Sequence, residues 1–295
     1  MSRARRPNLV LAVFVAGFVA GCAPKPQTIN LNPQITVGQK FSYSADTEHE
    51  ERMDQIFASS KPTPPIYKDN VWKVHLEGEA EVLLVNAKMG VQKVAFTVKS
   101  LTVSQNGIHM PRMPGAGATI IGERTGKFVV LIVDGKPASS DVTEAIGFVL
   151  PLDDDLVSRQ EVFGTDKPVQ AGNSWSVNTS SLAVMLKEEL EMDSTNLGGV
   201  VKLDDCKGAN ADRIAMVSGS FSASIIIPPL PDVLTIDSAT ASGTLVGAFP
   251  ASTGGKLVQS SSLITSIKGH GEKGGMKSTL LIMHVQKSST TAIFH

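Results

Sequence analysis

Cysteine is scarce in this chain of 295 residues, which has only Cys22 and Cys206, too few for the disulfide framework of a small secreted scaffold. Charge is also sparse and balanced, with 27 Lys and Arg against 28 Asp and Glu, so no basic surface for nucleic acid is implied. The six histidines, His49, His75, His109, His270, His284 and His295, lack the i,i+4 helical pairing or the Cys and His spacing of a zinc site. There is no G-x-S-x-G elbow to present a nucleophilic serine and no G-x-x-x-x-G-K-[ST] phosphate loop. Without a positioned nucleophile or base the chain does not read as an enzyme, and no cofactor is implied.

Long apolar runs are missing too, except for Leu9 to Ala20, "LVLAVFVAGFVA", which follows a positive head of Arg3, Arg5 and Arg6. As a helix at about 1.5 Å per residue this run reaches roughly 18 Å, short of the roughly 30 Å hydrocarbon core. It has the three-part pattern of a secretory signal instead. The next residues, Val19-Ala20-Gly21-Cys22, resemble the lipobox of bacterial lipoproteins. That resemblance implies cleavage between Gly21 and Cys22 and a diacylglycerol on the Cys22 thiol, usually with a further acyl chain such as palmitate on the new amine. Two or three chains bury enough methylenes, at about 0.8 kcal/mol each, for stable anchoring to a lipid bilayer. Arg5-Arg6 is followed by Pro7-Asn8 rather than a hydrophobic pair, which favours the general export route over the twin-arginine one. Ala23, where some bacteria place an Asp to retain a lipoprotein in the inner membrane, implies an outer-membrane anchor facing the periplasm.

Residues 1–21 are therefore read as a signal peptide and 22–36 as a lipidated anchor and stem, with three prolines in "APKPQTINLNP" that favour extended backbone. Removing residues 1–21 takes away three arginines and no acid, so the formal net charge moves from -1 to -4. Once Cys22 is acylated, Cys206 has no partner within the chain, and the fold cannot rest on an internal disulfide.

The remainder alternates with period two. In "VWKVHLEGEAEVLLV", Trp72, Val74, Leu76, Gly78, Ala80, Val82 and Leu84 share one face and charged residues the other. Similar runs cover 91–103, 127–133, 213–227, 233–248, 256–268 and 277–285, with turn chemistry in "ERTGK", "VDGKP" and "STGGK". Two short helices are expected, "SDVTEAIGFVL" capped by Ser140 or Asp141 and "SSLAVMLKEELEM" capped by Ser180 or Ser181. A faint duplication orders the pieces: "VGQKFSYS" at 37–44 matches "AGNSWSVN" at 171–178, and "TGKFVV" at 125–130 is echoed by "TGGKLV" at 253–258. The fold class is mainly β, two successive antiparallel curved units over 37–163 and 164–295, or one continuous domain over 37–295, with a few short helices. This layout resembles the half-barrel lipid and lipoprotein carriers of bacterial envelopes, which implies an apolar concavity closed by helices and no residue-level function.

Three stretches are weighed as sites. "PGAGATIIG" at 114–122 enters no helix and reads as a turn before a strand. Asp153-Asp154-Asp155 lacks the spaced ligands of a calcium site and reads as a solvated loop. In "HMPRMP", His109, Met110 and Met113 offer nitrogen and soft sulfur to Cu(I), although covering an apolar gap is the stronger reading for both methionines. The functions that fit are a non-enzymatic carrier or binder of an apolar envelope molecule, or a scaffold lipoprotein that binds a protein partner. A charged ligand would need converging Arg or Lys, and charged residues are expected mostly at solvent-facing strand positions.

Overall fold

The structure, a computed structural model, describes residues 26–32, 34–58, 66–88, 90–126, 128–147, 149–153, 157–208, 213–227, 234–251, 254–273 and 276–295. The lipobox, with Gly21 and Cys22, lies outside the described residues, as do Asp154, Asp155 and Thr253.

Period-two patterning folds into one open, curved antiparallel sheet of thirteen strands. The first half comprises β1 (Lys40–Ala58), β2 (Ile66–Val85), β3 (Val91–Gln105), β4 (Ile108–His109), β5 (Thr119–Thr125), β6 (Phe128–Val133) and β7 (Lys136–Pro137). Helices α1 (Ser140–Gly147) and α2 (Arg159–Phe163) follow. The second half comprises β8 (Ser174–Ser176), α3 (Thr179–Leu190), β9 (Ser194–Lys207), β10 (Ile214–Ile225), β11 (Leu234–Pro250), β12 (Lys256–Lys273) and β13 (Met276–Phe294).

Across the sheet the order is β7-β6-β5-β3-β2-β1-β13-β12-β11-β10-β9-β8, with β4 a short spur on β3. Each half is a meander, and the two run in the same sense. They join where the first strand of the first half pairs with the last strand of the second, from Phe41 opposite Phe294 to Ala58 opposite Lys277.

The two motifs that match in sequence also fold alike. The Gly38 N–H donates to the Val82 carbonyl (2.8 Å), the Val82 N–H to Gln39 O (3.0 Å), and the Gln39 side-chain oxygen accepts from the Thr36 N–H (3.2 Å). In the second half the Gly172 N–H donates to Leu203 O (2.7 Å), the Leu203 N–H to Asn173 O (3.0 Å), and the Asn173 side-chain oxygen accepts from the Gln170 N–H (2.9 Å). Both glycines need positive φ, +84° and +90°, as the third residue of such a turn does. The turns therefore launch β1 and β8 at equivalent places, and the second motif pair falls at the β5–β6 and β11–β12 hairpins.

One face of the sheet carries the core. Phe41, Tyr43 and Ala45 on β1, and Trp72, Val74, Leu76, Ala80 and Val82 on β2, are buried in alternation. Leu84 leaves this pattern and is 40% exposed, because the β2–β3 register shifts between Val82 and Leu84. Gly78 is required by close approach, since a Cβ there would meet the Thr97 carbonyl and the Phe96 ring, and Gly243 lies under Phe221 in the same way. Such ring-covered glycines let a strand bend, which is how a sheet curves around its core.

The helices cover that core. Val142, Ala145 and Ile146 of α1 and Leu182 and Leu186 of α3 are buried. The α3 cap is Asn178, whose side chain accepts from the Ser180 and Ser181 N–H groups, so the expected serines donate to the cap rather than form it. Ser139 plays that part for α1, accepting from Val142 N–H at 3.4 Å.

The stem expectation needs correction. Ile29, Leu31 and Ile35 are 2%, 0% and 6% exposed, and Gln27 forms a β-bridge with Val169. Their alternation in "INLNPQI" places apolar side chains on one side of an extended segment, which packs into the core despite the neighbouring prolines.

Candidate functional site

Between the concave face and the segments that cross it lies a cavity of about 420 Å³. Phe41, Tyr43 and Ala45 of β1, Phe163 of α2, Leu245 of β11 and Leu257 of β12 supply apolar wall. The aromatic wall is interlocked: Tyr43 meets Phe41 and Phe96 edge to face at 6.1 and 6.0 Å between ring centres, and Phe41 meets Phe294 at 5.2 Å with the rings tilted by 46°. Tyr43 spends its hydroxyl on the Val149 carbonyl (2.8 Å), and burial pushes its pKa up. The tyrosine is thus fixed as wall and is held neutral.

The segments over the cavity are held by side-chain amides and a cap. Gln160 accepts from the Leu31 N–H (2.8 Å) and donates to the Ile29 carbonyl (3.4 Å), tying the N-terminal segment to α2. A capping box starts α2: the Ser158 hydroxyl accepts from Glu161 N–H while the Glu161 carboxylate accepts from Ser158 N–H at 2.6 Å. Lys88 pairs with the same carboxylate at 2.8 Å, and these partners hold Glu161 below the usual carboxylate range, Lys88 first. At the other end of α2, Trp175 Nε1–H donates to Phe163 O (2.8 Å).

Polar groups make up much of the remaining wall, with Gln259, Ser261 and Ser262 of β12 and Gln286, Ser288 and Thr290 of β13. Arg159, the first residue of α2, and Arg124, near the end of β5, both line the cavity, as does Lys88. Burial pushes the Arg159 pKa down, while Asp153 and Tyr43 work against that. Asp153 accepts from the Val91 N–H at 2.9 Å, so its carboxylate anchors the start of β3. The expectation that charged residues face solvent fails at these two arginines, because α2 and the sheet curvature turn them inward.

Sequence reading also missed a histidine pair. His49 on β1 and His284 on β13 sit with ring centres 4.4 Å apart, and Glu51 approaches His49 at 3.5 Å. They are 235 residues apart in sequence and meet only because β1 pairs with β13. Burial first, then the neighbouring His49, lowers the His284 pKa.

His109 is exposed at the β4 spur, whereas Met110 and Met113 pack against the core. Among the described residues no group of three or more His, Cys, Asp or Glu could hold a metal ion. Residues 114–122 form a turn that leads into β5, with Thr119 N–H bonded to Asp134 (2.8 Å). Cys206 is a free thiol beside Gln27.

No known family and no curated protein matches the chain. Among solved structures it is similar to two variants of a porin from Rh. blastica, each at 8% identity and a TM-score of 0.17, covering 83% of this chain and 99% of the porin. A structure described as "Asymmetric conductivity of engineered proteins" is similar at 7% identity and a TM-score of 0.15, covering 86% of this chain and all of that one. Scores this low carry no argument about fold or function.

Proposed function

We propose that this protein is a lipoprotein of the bacterial envelope, anchored through acylated Cys22, that binds or carries an apolar molecule without catalysing a reaction. The observation that carries this reading is the cavity of about 420 Å³ under the curved sheet, whose wall sets the aromatic rings of Phe41, Tyr43 and Phe294 beside hydroxyl and amide side chains. Its size falls within the range of roughly 300–1,000 Å³ of small-molecule sites. The lipobox supports the anchor, and Ala23 supports an outer-membrane location facing the periplasm. The test is mass spectrometry of lipid from the full-length protein isolated from its own host in detergent-free polymer discs, compared with an unrelated lipoprotein prepared identically. A lipid enriched about one to one with this protein supports the reading, and equal lipid profiles refute it.

A second reading, a scaffold that binds a protein partner, is favoured by Phe128, Val130 and Ile132. These alternate residues of β6 are 68%, 55% and 38% exposed on the side away from the core.

A further inference from the structure

A cavity built only for hydrocarbon has no use for guanidinium groups, yet two reach this one. Arg159 carries five N–H donors. Among the described residues its partners are the Leu31 carbonyl, at 3.4 Å from Nη1, and the Phe249 ring, whose centre lies 6.0 Å from Cζ. Its ion pairs do not include any described carboxylate within 4.0 Å. Asp153 lies near enough to favour its charge, but that carboxylate accepts from the Val91 N–H and from no guanidinium among the described residues, and the Tyr43 hydroxyl donates to Val149 O. Arg124 is in a similar position, because its Nε is buried and has no hydrogen-bond partner among the described residues.

Buried donors without acceptors are costly, and more so when they carry charge. One long bond to Leu31 uses a single donor of Arg159, so clamping the N-terminal segment accounts for little of the group. A carboxylate or phosphate satisfies a guanidinium with two parallel charge-assisted bonds, which partial removal from water strengthens. The rest of such a ligand would lie against the Phe41, Leu245 and Leu257 side of the cavity.

We propose that the cavity takes an amphiphile with an anionic headgroup, a carboxylate or phosphate on an acyl chain, and that Arg159 binds the headgroup, with Arg124 as a second cation lining the same cavity. This rests on the reading of the cavity as a ligand site, and it replaces a purely apolar ligand with a charged, chain-bearing one.

The test uses full-length protein in phosphatidylcholine nanodiscs loaded with Nile red, a neutral dye, with empty discs as the partition background. The dye is displaced with palmitate, hexadecyl phosphate, hexadecanol or acetate. Palmitate or hexadecyl phosphate is expected to displace it at roughly tenfold lower concentration than hexadecanol, the effect of a charge-assisted pair, and the tighter of the two names the headgroup. Acetate is expected to have no effect. Arg159→Met should bring the anionic amphiphiles to the level of hexadecanol without changing hexadecanol itself, and Arg159→Lys should keep part of the preference. Equal displacement by hexadecanol and both anions in the wild type overturns the charged headgroup and leaves the cavity reading standing. No displacement above the empty-disc background by any chain-bearing ligand overturns both. Acetate acting as strongly as palmitate overturns the acyl chain, and a preference that survives in folded Arg159→Met overturns the role of Arg159.

Discussion

Tyr43 shows how a single side chain serves both wall and frame. Its ring packs edge to face between Phe41 and Phe96, and its hydroxyl supplies a hydrogen for the Val149 carbonyl. Tyr43→Phe keeps the ring but leaves that buried carbonyl short of a donor. The expected loss is about 1–3 kcal/mol of stability, read as a lower urea midpoint. His284 adds a pH dependence. Its pKa in the folded protein lies below its unfolded value of about 6.5, so below that pH the unfolded chain binds more protons. The contribution is fully present above about pH 6.5 and is lost as pH falls through the folded pKa. Urea denaturation across that window should show stability falling with pH, and a flatter profile for His284→Gln. Period-two alternation over 91–103 made Phe96, one buried partner of Tyr43, legible in the sequence, whereas Phe41 was marked only by a short motif. It could not make Arg159 or His284 legible, because the direction of one depends on where α2 starts and the company of the other on a strand pairing between the two ends of the fold.

At the scale of elements, strands with a clean apolar face were readable and interrupted ones were not. No strand was read over β1, where alternation covers only Phe41, Tyr43 and Ala45 and lapses in "EHEERMDQ", yet the strand continues to Ala58 because β2 and β13 flank it on both sides. In β9 the run is broken by Gly198 and Gly199, and Gly199 is where a side chain would strike the Ser220 carbonyl. Helix α2 is five residues long, too short for a helical period to show, although Ser158 and Glu161 carried the S-x-x-E signature of its start. Ser158→Ala should therefore cost about 0.5–2 kcal/mol, measured by thermal or urea unfolding. It should also weaken binding at the cavity, since this cap holds the turn that presents Arg159. A change confined to stability would separate the cap from the site. The N-terminal segment has a further consequence: with Gln27 already bonded to Val169, the five residues from Cys22 to Pro26 span at most about 18 Å. An acylated Cys22 would hold the half-barrel close to the bilayer surface.

For the whole molecule, the β1–β13 seam is the decisive connection. The two halves repeat a turn, a strand order and a hairpin motif, but their long first and last strands pair along nearly their full length, and the core passes through the seam at Phe41 and Phe294. The likeness of the halves was legible only as two short motifs; the pairing that merges them was not, because nothing local marks β13 as the partner of β1. Unfolding should consequently be one transition. The chain has two tryptophans, Trp72 in the first half and Trp175 in the second, so Trp175→Phe and Trp72→Phe each leave a reporter in one half. Their urea curves should share a midpoint once each is referenced to its own circular dichroism transition, as a two-state unit requires. Fluorescence preceding circular dichroism in one variant only would mean that the halves unfold separately.

The central claim is that the curved sheet encloses a site for a lipid-like molecule, and the most direct measurement compares the lipid that copurifies with the wild type and with Ala45→Trp. Ala45 is 3% exposed and lines the cavity, so the indole would occupy the space a ligand needs. With both proteins folded by circular dichroism, the account predicts about one bound lipid per wild-type chain and a loss of most of it in the variant. Equal amounts of bound lipid in the two proteins, or none in the wild type, would contradict it.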